Sequence, residues 1–192
     1  MGNKAEYRSA LRSRRLIRDA FLALMQENGS AKMTVTEIVR RADINRATFY
    51  AHYSDVQAVI SEIENEIIGK MFDVLREAPQ GDFLSNPKPL LDSIRVYVEE
   101  NIDHFRILVK ANEALNFMEK MKIVFVEFML TYEGVPESIR SDPRYPLRCM
   151  YFAGGILSIY QQWLLGNLDC GLDTVSDETG ELIEYFARSV GK

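Results

Sequence analysis

The chain has 192 residues, of which 47% are hydrophobic and 27% charged, and its formal net charge is −5. The apolar content is ample for buried cores, and the charged content is ordinary. The longest mostly apolar run, residues 149–160, is well short of the roughly 20 residues that a membrane span needs. The amino terminus lacks the apolar segment of a signal peptide, so we expect a soluble, cytoplasmic protein.

The charge is divided unevenly along the chain. Residues 1–56 carry ten Lys or Arg and six Asp or Glu, a net +4, whereas residues 57–192 carry thirteen and twenty-two, a net −9. A basic head on an acidic body is expected when only one end contacts phosphate groups. For any single arginine between Arg8 and Arg18, the densest basic stretch, a place on a solvated helix face is the simpler interpretation.

Catalytic and metal-binding patterns are not found in the sequence. Cys149 and Cys170 lie outside any CxxC pattern, and a disulfide between them is possible but is the weaker interpretation. The two histidines, His52 and His104, are too few and too scattered for a histidine-based metal site. No glycine-rich phosphate loop, GxSxG or HExxH sequence occurs. We therefore predict a protein that is not an enzyme and has no catalytic residue, cofactor or metal.

The first predicted elements are three helices that pack together. The first has a buried face formed by Leu16, Ala20 and Leu24. The second begins at Thr34, which has capping-box spacing to Glu37. Its apolar residues follow at i, i+3, i+4 and i+7: Val35, Ile38, Val39 and Ala42. A turn over residues 42–45 leads to the third helix. Because this turn is so short, the second and third helices cannot bury their apolar faces on each other alone and need the first helix as a packing partner.

The third helix spans Arg46–His52, and Asn45 is its predicted N-cap. A helix of this kind can enter the major groove of DNA, where Arg46 could donate two hydrogen bonds to guanine and Tyr50 could donate to a phosphate. Phe49 is expected to face the core. The predicted DNA-binding residues are Thr34, Thr36, Asn45, Arg46, Ala47, Thr48, Tyr50 and His52. The alternative is a helical hairpin in an ordinary bundle, with these residues only on its surface.

Residues 34–56 resemble the signature of the TetR family of bacterial transcriptional regulators. The sequence T-V-T-E-I-V-R-R-A-D-I-N-R-A-T-F-Y-A-H-Y-S-D is similar to the family pattern T-V-x-x-I-A-x-x-A-G-V-S-x-G-T-x-Y-x-H-F-x-S-K. The resemblance implies an all-α protein with a three-helix helix-turn-helix domain over residues 1–54 and a helical ligand-binding and dimerisation domain over residues 55–192. It also implies a homodimeric, ligand-responsive repressor of a near-palindromic DNA operator.

Three residues depart from that pattern. Asp43 replaces a turn glycine, and Asp tolerates left-handed geometry better than most residues, so we expect the turn to survive. Ala47 replaces a glycine or proline, and we expect this replacement to be harmless to the third helix. Val56 replaces a lysine that binds the DNA backbone, which removes one phosphate contact. The alternative function is therefore a coactivator that acts through protein contacts and does not bind DNA by itself.

The rest of the chain is predicted to be helical, with proline and glycine loops between the helices. Ser54 and Gln57 have capping-box spacing at the start of the fourth helix. A break near residues 101–104 can split one long segment in two, which gives about nine helices and no sheet. The predicted segments are Asp55–Arg76, Leu91–Phe105, Phe117–Tyr132, Leu147–Leu165 and Asp177–Val190.

Two roles are expected for these later helices, dimerisation and effector binding. Gly154 and Gly155 can admit a helix of a second subunit, or form only a packing notch within the monomer. The tract YQQWLLGN, from Tyr160, is similar to one in the dimer-forming half of the family. The predicted dimer interface contains Ile156, Tyr160, Trp163, Leu182 and Phe186.

The effector is expected to bind among the middle helices, where polar or aromatic residues interrupt apolar faces. The main candidates for this pocket are Tyr97, Asn101, His104, Phe125, Cys149 and Phe152. Further candidates are Asn112, Phe117, Met121, Phe128 and Tyr160. Each aromatic side chain can instead belong to the core. His104 can instead be hydrogen-bonded or exposed near a helix end.

Overall fold

The described part of the chain, residues 2–28, 33–77, 86–110 and 114–190 of a computed structural model, contains ten α-helices and no β-strand. The all-α prediction is confirmed. The helices are α1 (Gly2–Asn28), α2 (Val35–Arg41), α3 (Arg46–Tyr50), α4 (Val56–Glu77), α5 (Lys88–Glu100), α6 (Ile102–Lys110), α7 (Ala114–Thr131), α8 (Glu137–Arg140), α9 (Tyr145–Leu164) and α10 (Leu172–Val190).

Several predicted helix boundaries differ from the observed ones. Helix α3 ends at Tyr50 rather than His52, and α5 begins at Lys88 rather than Leu91. The single-turn helix α8 lies in a segment predicted to be a loop, so the described helices number ten rather than about nine. Helix α10 begins at Leu172, five residues before the predicted start. At the start of α4, Oδ1 of Asp55 accepts from the amide of Ala58 at 2.8 Å. The predicted break after Glu100 is present, and α6 begins at Ile102.

Two hydrophobic cores meet along α4. The head core is formed by α1, α2, α3 and the first part of α4, with Phe21, Phe49 and Ile63 almost fully buried. The body core is formed by the rest of α4 and by α5 to α10, and it begins with Ile67. A fully buried side chain of this size contributes about 1.5–3 kcal/mol, so both cores are strongly stabilised. Helix α4 therefore connects the head and the body, and Ile107 of α6 also packs in the head core.

Polar contacts also tie α1 to α4. Arg14 forms an ion pair with Glu62, and Arg18 forms one with Glu66. The Tyr53 hydroxyl donates to Oε1 of the same Glu62 at 3.1 Å. Arg14 is exposed, as the solvated-face interpretation expects, whereas Arg18 is half-buried between α1 and α4.

Candidate DNA interface and effector cavity

The start of α2 is fixed by a capping box, as the sequence predicts. The amide of Glu37 donates to Thr34 Oγ1 at 3.3 Å, and the Thr34 amide donates to Glu37 Oε2 at 2.8 Å. The Thr34 hydroxyl donates to the same carboxylate, and these bonds lower the pKa of Glu37. The capping box satisfies amides that have no partner within the helix, so it fixes where α2 begins.

The turn between α2 and α3 requires a left-handed residue. Asp43 supplies it with φ 52°, where the family pattern has glycine. The amide of Ile44 donates to the Val39 carbonyl at 3.1 Å across this turn. Asn45 then caps α3, because its Oδ1 accepts from the Thr48 amide at 2.7 Å and from the Thr48 hydroxyl at 3.0 Å. The survival of the turn and the N-cap at Asn45 are both confirmed.

Helix α3 has one buried side and one exposed side. Phe49 is fully buried in the head core, as predicted, whereas Arg46, Ala47 and Tyr50 are exposed. Thr48 and His52 are half-buried. A short α-helix with a basic, hydrogen-bonding outer side is the arrangement that reads base edges in a major groove.

Helix α2 contributes one further polar contact to this surface. The Arg46 guanidinium donates to the hydroxyl of Thr36, which is exposed on α2. The predicted contact of Arg46 with a base would therefore require it to exchange this neutral hydroxyl partner for an acceptor on DNA. Three of the predicted DNA-binding residues, Thr34, Asn45 and Thr48, take part in the cap hydrogen bonds at the starts of α2 and α3.

The body contains an apolar cavity of about 60 Å³ between α4, α5, α6, α7, α9 and α10. Its surface is made of apolar atoms, and α7 and α9 supply most of the lining side chains. Phe125 and Phe152, two of the predicted pocket residues, line it. The sequence reasoning named Met121 but missed three other methionines of the lining: Met71, Met118 and Met129. The recurrence of methionine along α7 is a signal that could have identified Met118 and Met129.

Phe117, Met121, Phe128 and Tyr160 also line the cavity, and Asn112 lies outside the described residues. The four remaining pocket candidates lie outside the cavity lining. The Tyr97 hydroxyl donates to the Ile67 carbonyl at 3.1 Å, and burial raises the pKa of Tyr97 to about 12. Asn101 is the C-cap of α5, and its Nδ2 donates to the Tyr97 carbonyl at 2.9 Å. Cys149 is fully buried in the body core, and burial raises the pKa of its thiol. Their polar atoms serve the fold rather than the cavity, which corrects the predicted lining.

His104 lies in a different place, an open polar cleft between α1, α4 and α6. Burial, and then the positive charge of Arg18, lower the pKa of its imidazole. The cleft is lined by Leu11, Arg14, Arg15, Arg18, Asp19, Leu22, Glu62, Glu66 and His104. In the described part of the chain, no three His, Cys, Asp or Glu side chains are grouped so that they could hold a metal ion.

Three of the predicted dimer residues do not lie on an open surface. Ile156 and Tyr160 line the cavity, and Tyr160 is buried. Trp163 is half-buried; its Nε1 donates to the Cys170 carbonyl at 2.9 Å, and the Arg106 guanidinium lies 5.8 Å from its ring centroid. Leu182 is 48% exposed. The side chain of Phe186 lies outside the described residues.

Large apolar side chains are exposed on another face of α9 and on α10. We call this the α9–α10 face and define it by Leu147, Met150, Tyr151, Leu182 and Tyr185. Tyr151 and Tyr185 are 78% and 76% exposed. The helix α9 is apolar on both sides, so the sequence pattern could not distinguish the side that lines the cavity from the open one. No described helix is long and apolar enough to cross a membrane.

Comparison with known proteins agrees with this geometry. Residues 17–63 match the family model described as bacterial regulatory proteins, tetR family. The match begins and ends at Ile17 and Ile63, which are both buried in the head core. The search of curated protein sequences found no match.

Solved structures share the fold over nearly the whole chain. A putative TetR-family transcriptional regulator from Syntrophomonas wolfei str. Goettingen has 12% identity and a TM-score of 0.71, over 92% of this chain and 95% of that chain. A TetR transcriptional regulator from Streptococcus agalactiae 2603V has 18% identity and a TM-score of 0.68, over 95% and 99%. The dihydroxyacetone kinase operon activator DhaS has 19% identity and a TM-score of 0.64, over 92% and 96%. Residues 17–63 are therefore similar to the helix-turn-helix of bacterial regulatory proteins of the tetR family, and the chain shares the all-α fold of these solved structures.

Proposed function

We propose that this protein is a ligand-responsive transcriptional repressor that binds a near-palindromic DNA operator as a homodimer. The observation that carries the proposal is the outer side of α3, where Arg46 and Tyr50 are exposed while Phe49 is buried. The net +4 of residues 1–56 supports phosphate binding by this end of the chain. In the proposed complex Arg46 reads a base, and Tyr50 and His52 contact phosphates.

The dimer is proposed to form through the α9–α10 face. An exposed group of Leu, Met and Tyr side chains is costly in water and is stabilised when a second copy covers it. Tyr151 and Tyr185 are suited to the centre of an interface, because tyrosine is enriched there. A twofold axis at this face would place two copies of α3 toward successive major grooves, about 34–36 Å apart.

Ligand response is proposed to begin in the apolar cavity. Its walls include Met71 of α4, and α4 also carries Ile63 in the head core. An effector that favours one arrangement of the cavity walls would therefore favour one position of α4 and of the head. Release of DNA follows if the effector prefers a spacing of the two heads that does not fit the operator.

The proposal is tested by two substitutions that separate base reading from phosphate contact. Arg46→Ala should weaken operator binding by about 1–3 kcal/mol and relax the preference at one position of each half-site. Tyr50→Phe should weaken binding to all sequences alike. Fluorescence anisotropy on the operator and on its single-base variants measures both effects. Equal losses for the two variants on every sequence would contradict the proposed roles.

A coactivator without DNA binding of its own is the second candidate. Val56 stands at the first residue of α4, where the family pattern has a lysine, and the chain as a whole carries −5. A protein with a similar fold is described as an operon activator. If the purified protein bound no DNA sequence more tightly than random DNA, this second function would replace the first. Val56→Lys would then be expected to create measurable DNA binding.

A further inference from the structure

Exposed arginines form a basic face along the amino-terminal half of α1. Residues 7–15 carry four arginines and no Asp or Glu. Arg8, Arg12 and Arg15 follow one another at i, i+4 and i+7, so they lie on one face of the helix. All three are exposed, and their guanidinium groups have no ion-pair or hydrogen-bond partner in the part of the chain that the structure describes. We call these three residues the α1 arginine face.

The fourth arginine shows how α1 lies relative to the start of α4. Arg14 pairs with Glu62 of α4, and one turn further along both helices Arg18 pairs with Glu66. Both pairs have a sequence separation of 48 residues, so α1 and α4 run in the same direction. The Arg14 guanidinium also lies 5.9 Å from the ring centroid of Tyr53, in the segment between α3 and α4. The amino-terminal half of α1 therefore lies at the end of the head where α3 meets α4.

The same register brings Arg8 close to the first residue of α4. Continued over less than two turns toward the amino end, the separation of 48 residues sets Arg8 level with Val56. Helix α1 begins at Gly2, and with a rise of about 1.5 Å per residue it extends about 9 Å further beyond Arg8. The α1 arginine face thus begins beside the junction of α3 and α4 and continues along α1.

The chain offers few other cations at this junction. Between Arg46 and Lys70 the sequence contains no Lys or Arg, although this interval includes the rest of α3 and the start of α4. A helix that enters a major groove has phosphates on both sides, and each phosphate that a Lys or Arg neutralises raises the affinity by releasing counterions. Arginine suits this role because its guanidinium can donate two parallel hydrogen bonds to one phosphate.

We infer that the α1 arginine face binds the phosphate backbone of DNA beside the groove that receives α3. In this complex Arg8 supplies the cation that is absent at Val56, and Arg12 contacts the same strand one turn further along α1. The inference rests on the proposed function, in which α3 enters the major groove, and it adds a second helix of the head to the DNA contacts.

The salt dependence of DNA binding tests these phosphate contacts. The probes are a duplex that the protein selects from a random-sequence pool and a random-sequence duplex of the same length, each titrated by fluorescence anisotropy. In a dimer, Arg8→Gln/Arg12→Gln removes four contacts, so the slope of log K against log salt should decrease in magnitude by about 3–4. The affinity at about 0.15 M salt should fall at least about tenfold. Both duplexes should lose the same factor, because phosphate contacts carry no sequence information.

A matched pair of cations on the body provides the control. Arg106→Gln/Lys110→Gln removes two exposed cations with the same i, i+4 spacing from α6, and it should change the slope by less than about 1. Equal slopes for the two double variants, or a loss confined to the selected duplex, would overturn the inference. Circular dichroism should give Arg8→Gln/Arg12→Gln the Tm of wild type, because neither arginine has a partner in the folded protein. A lower Tm would contradict two arginines that are free to bind DNA.

Val56→Lys tests the position of Arg8. In the Arg8→Gln variant it should restore most of the lost affinity, and in wild type it should add less, because the two cations serve the same stretch of backbone. Equal gains in both backgrounds would overturn the role of Arg8.

The inference and the proposed function can fail separately. If wild type prefers no sequence but Arg8→Gln/Arg12→Gln weakens its binding to the random-sequence duplex, the sequence-specific repressor fails and the inference stands. If wild type selects an operator and the double variant binds it as wild type does, the inference fails and the proposed function stands. Absence of all DNA binding by wild type would overturn both.

Discussion

The ion pair between Glu64 of α4 and Lys120 of α7 should stabilise the packing of α4, which connects head and body, against α7, which lines the cavity. Glu64 is the one buried charged side chain among the described residues, and Lys120 Nζ lies 2.5 Å from its Oε2. Lys120 follows the cavity-lining residues Phe117 and Met118 on α7. We predict that Lys120→Met destabilises the protein, because it leaves the Glu64 carboxylate buried without its partner.

The magnitude follows from the burial of the two side chains. Exposed ion pairs contribute about 0–1 kcal/mol, whereas removing one partner of a fully buried pair costs about 3–5 kcal/mol. The Glu64 side chain is 6% exposed and that of Lys120 is 35% exposed, so this pair lies between those limits. We expect a loss of about 2–3 kcal/mol in the free energy of unfolding, or about 4–12 °C in Tm for a chain of this size.

Urea unfolding at a fixed protomer concentration measures this loss. Lys122→Met is the matched control two residues further along α7, since Lys122 pairs with the exposed Glu119, and it should cost less than about 0.5 kcal/mol. The double variant Glu64→Gln/Lys120→Met should recover part of the stability that Lys120→Met loses, because no unpaired charge remains. Equal stabilities of Lys120→Met and Lys122→Met would refute this reasoning.

Three further predictions concern the turn, the dimer and the pH dependence of stability. Asp43 has left-handed backbone geometry, so Asp43→Gly should be tolerated, whereas Asp43→Ala should lower the free energy of unfolding by more than about 0.5 kcal/mol. Urea titration measures both effects, and equal stability of the two variants would contradict the strained turn. Tyr151→Arg on the α9–α10 face should reduce the mass measured by light scattering from about twice 22.1 kDa toward 22.1 kDa. Ile123→Arg, a control substitution at an exposed residue of α7, should leave the mass unchanged. A wild-type monomer at micromolar concentration would exclude the dimer. The pKa of His104 in the folded protein is below its usual 6.5, so the stability that its neutral imidazole contributes is present above pH 6.5 and is lost as the pH falls through the folded pKa. The free energy of unfolding of His104→Gln should therefore decrease less than that of wild type between pH 7 and pH 5. Identical pH profiles of the two proteins would contradict this.

Local chemistry made the head predictable from the sequence. The capping box at Thr34 and the N-cap at Asn45 depend on residues within three positions, so their spacing alone specified the helix starts. The tolerance of Asp43 for left-handed geometry is also a property of one residue.

The body was less predictable because its faces depend on distant contacts. Asn101 interrupts an apolar face and was expected in the pocket, yet it caps α5 through the Tyr97 carbonyl. Ile156 and Tyr160 were expected at the dimer interface, yet α7 packs on that side of α9 and the cavity lies between them. A helix that is apolar on most of its circumference gives no periodic signal for which side meets which neighbour.

The most direct test of the central claim is selection of DNA from a random-sequence pool by the purified full-length protein. The account predicts enrichment of a near-palindrome whose half-sites are centred about 10–10.5 base pairs apart, or a multiple of that spacing. The same selection with Arg46→Ala should lose the preference at one position of each half-site. A pool with no enriched sequence, or an enriched site without twofold symmetry, would contradict the account.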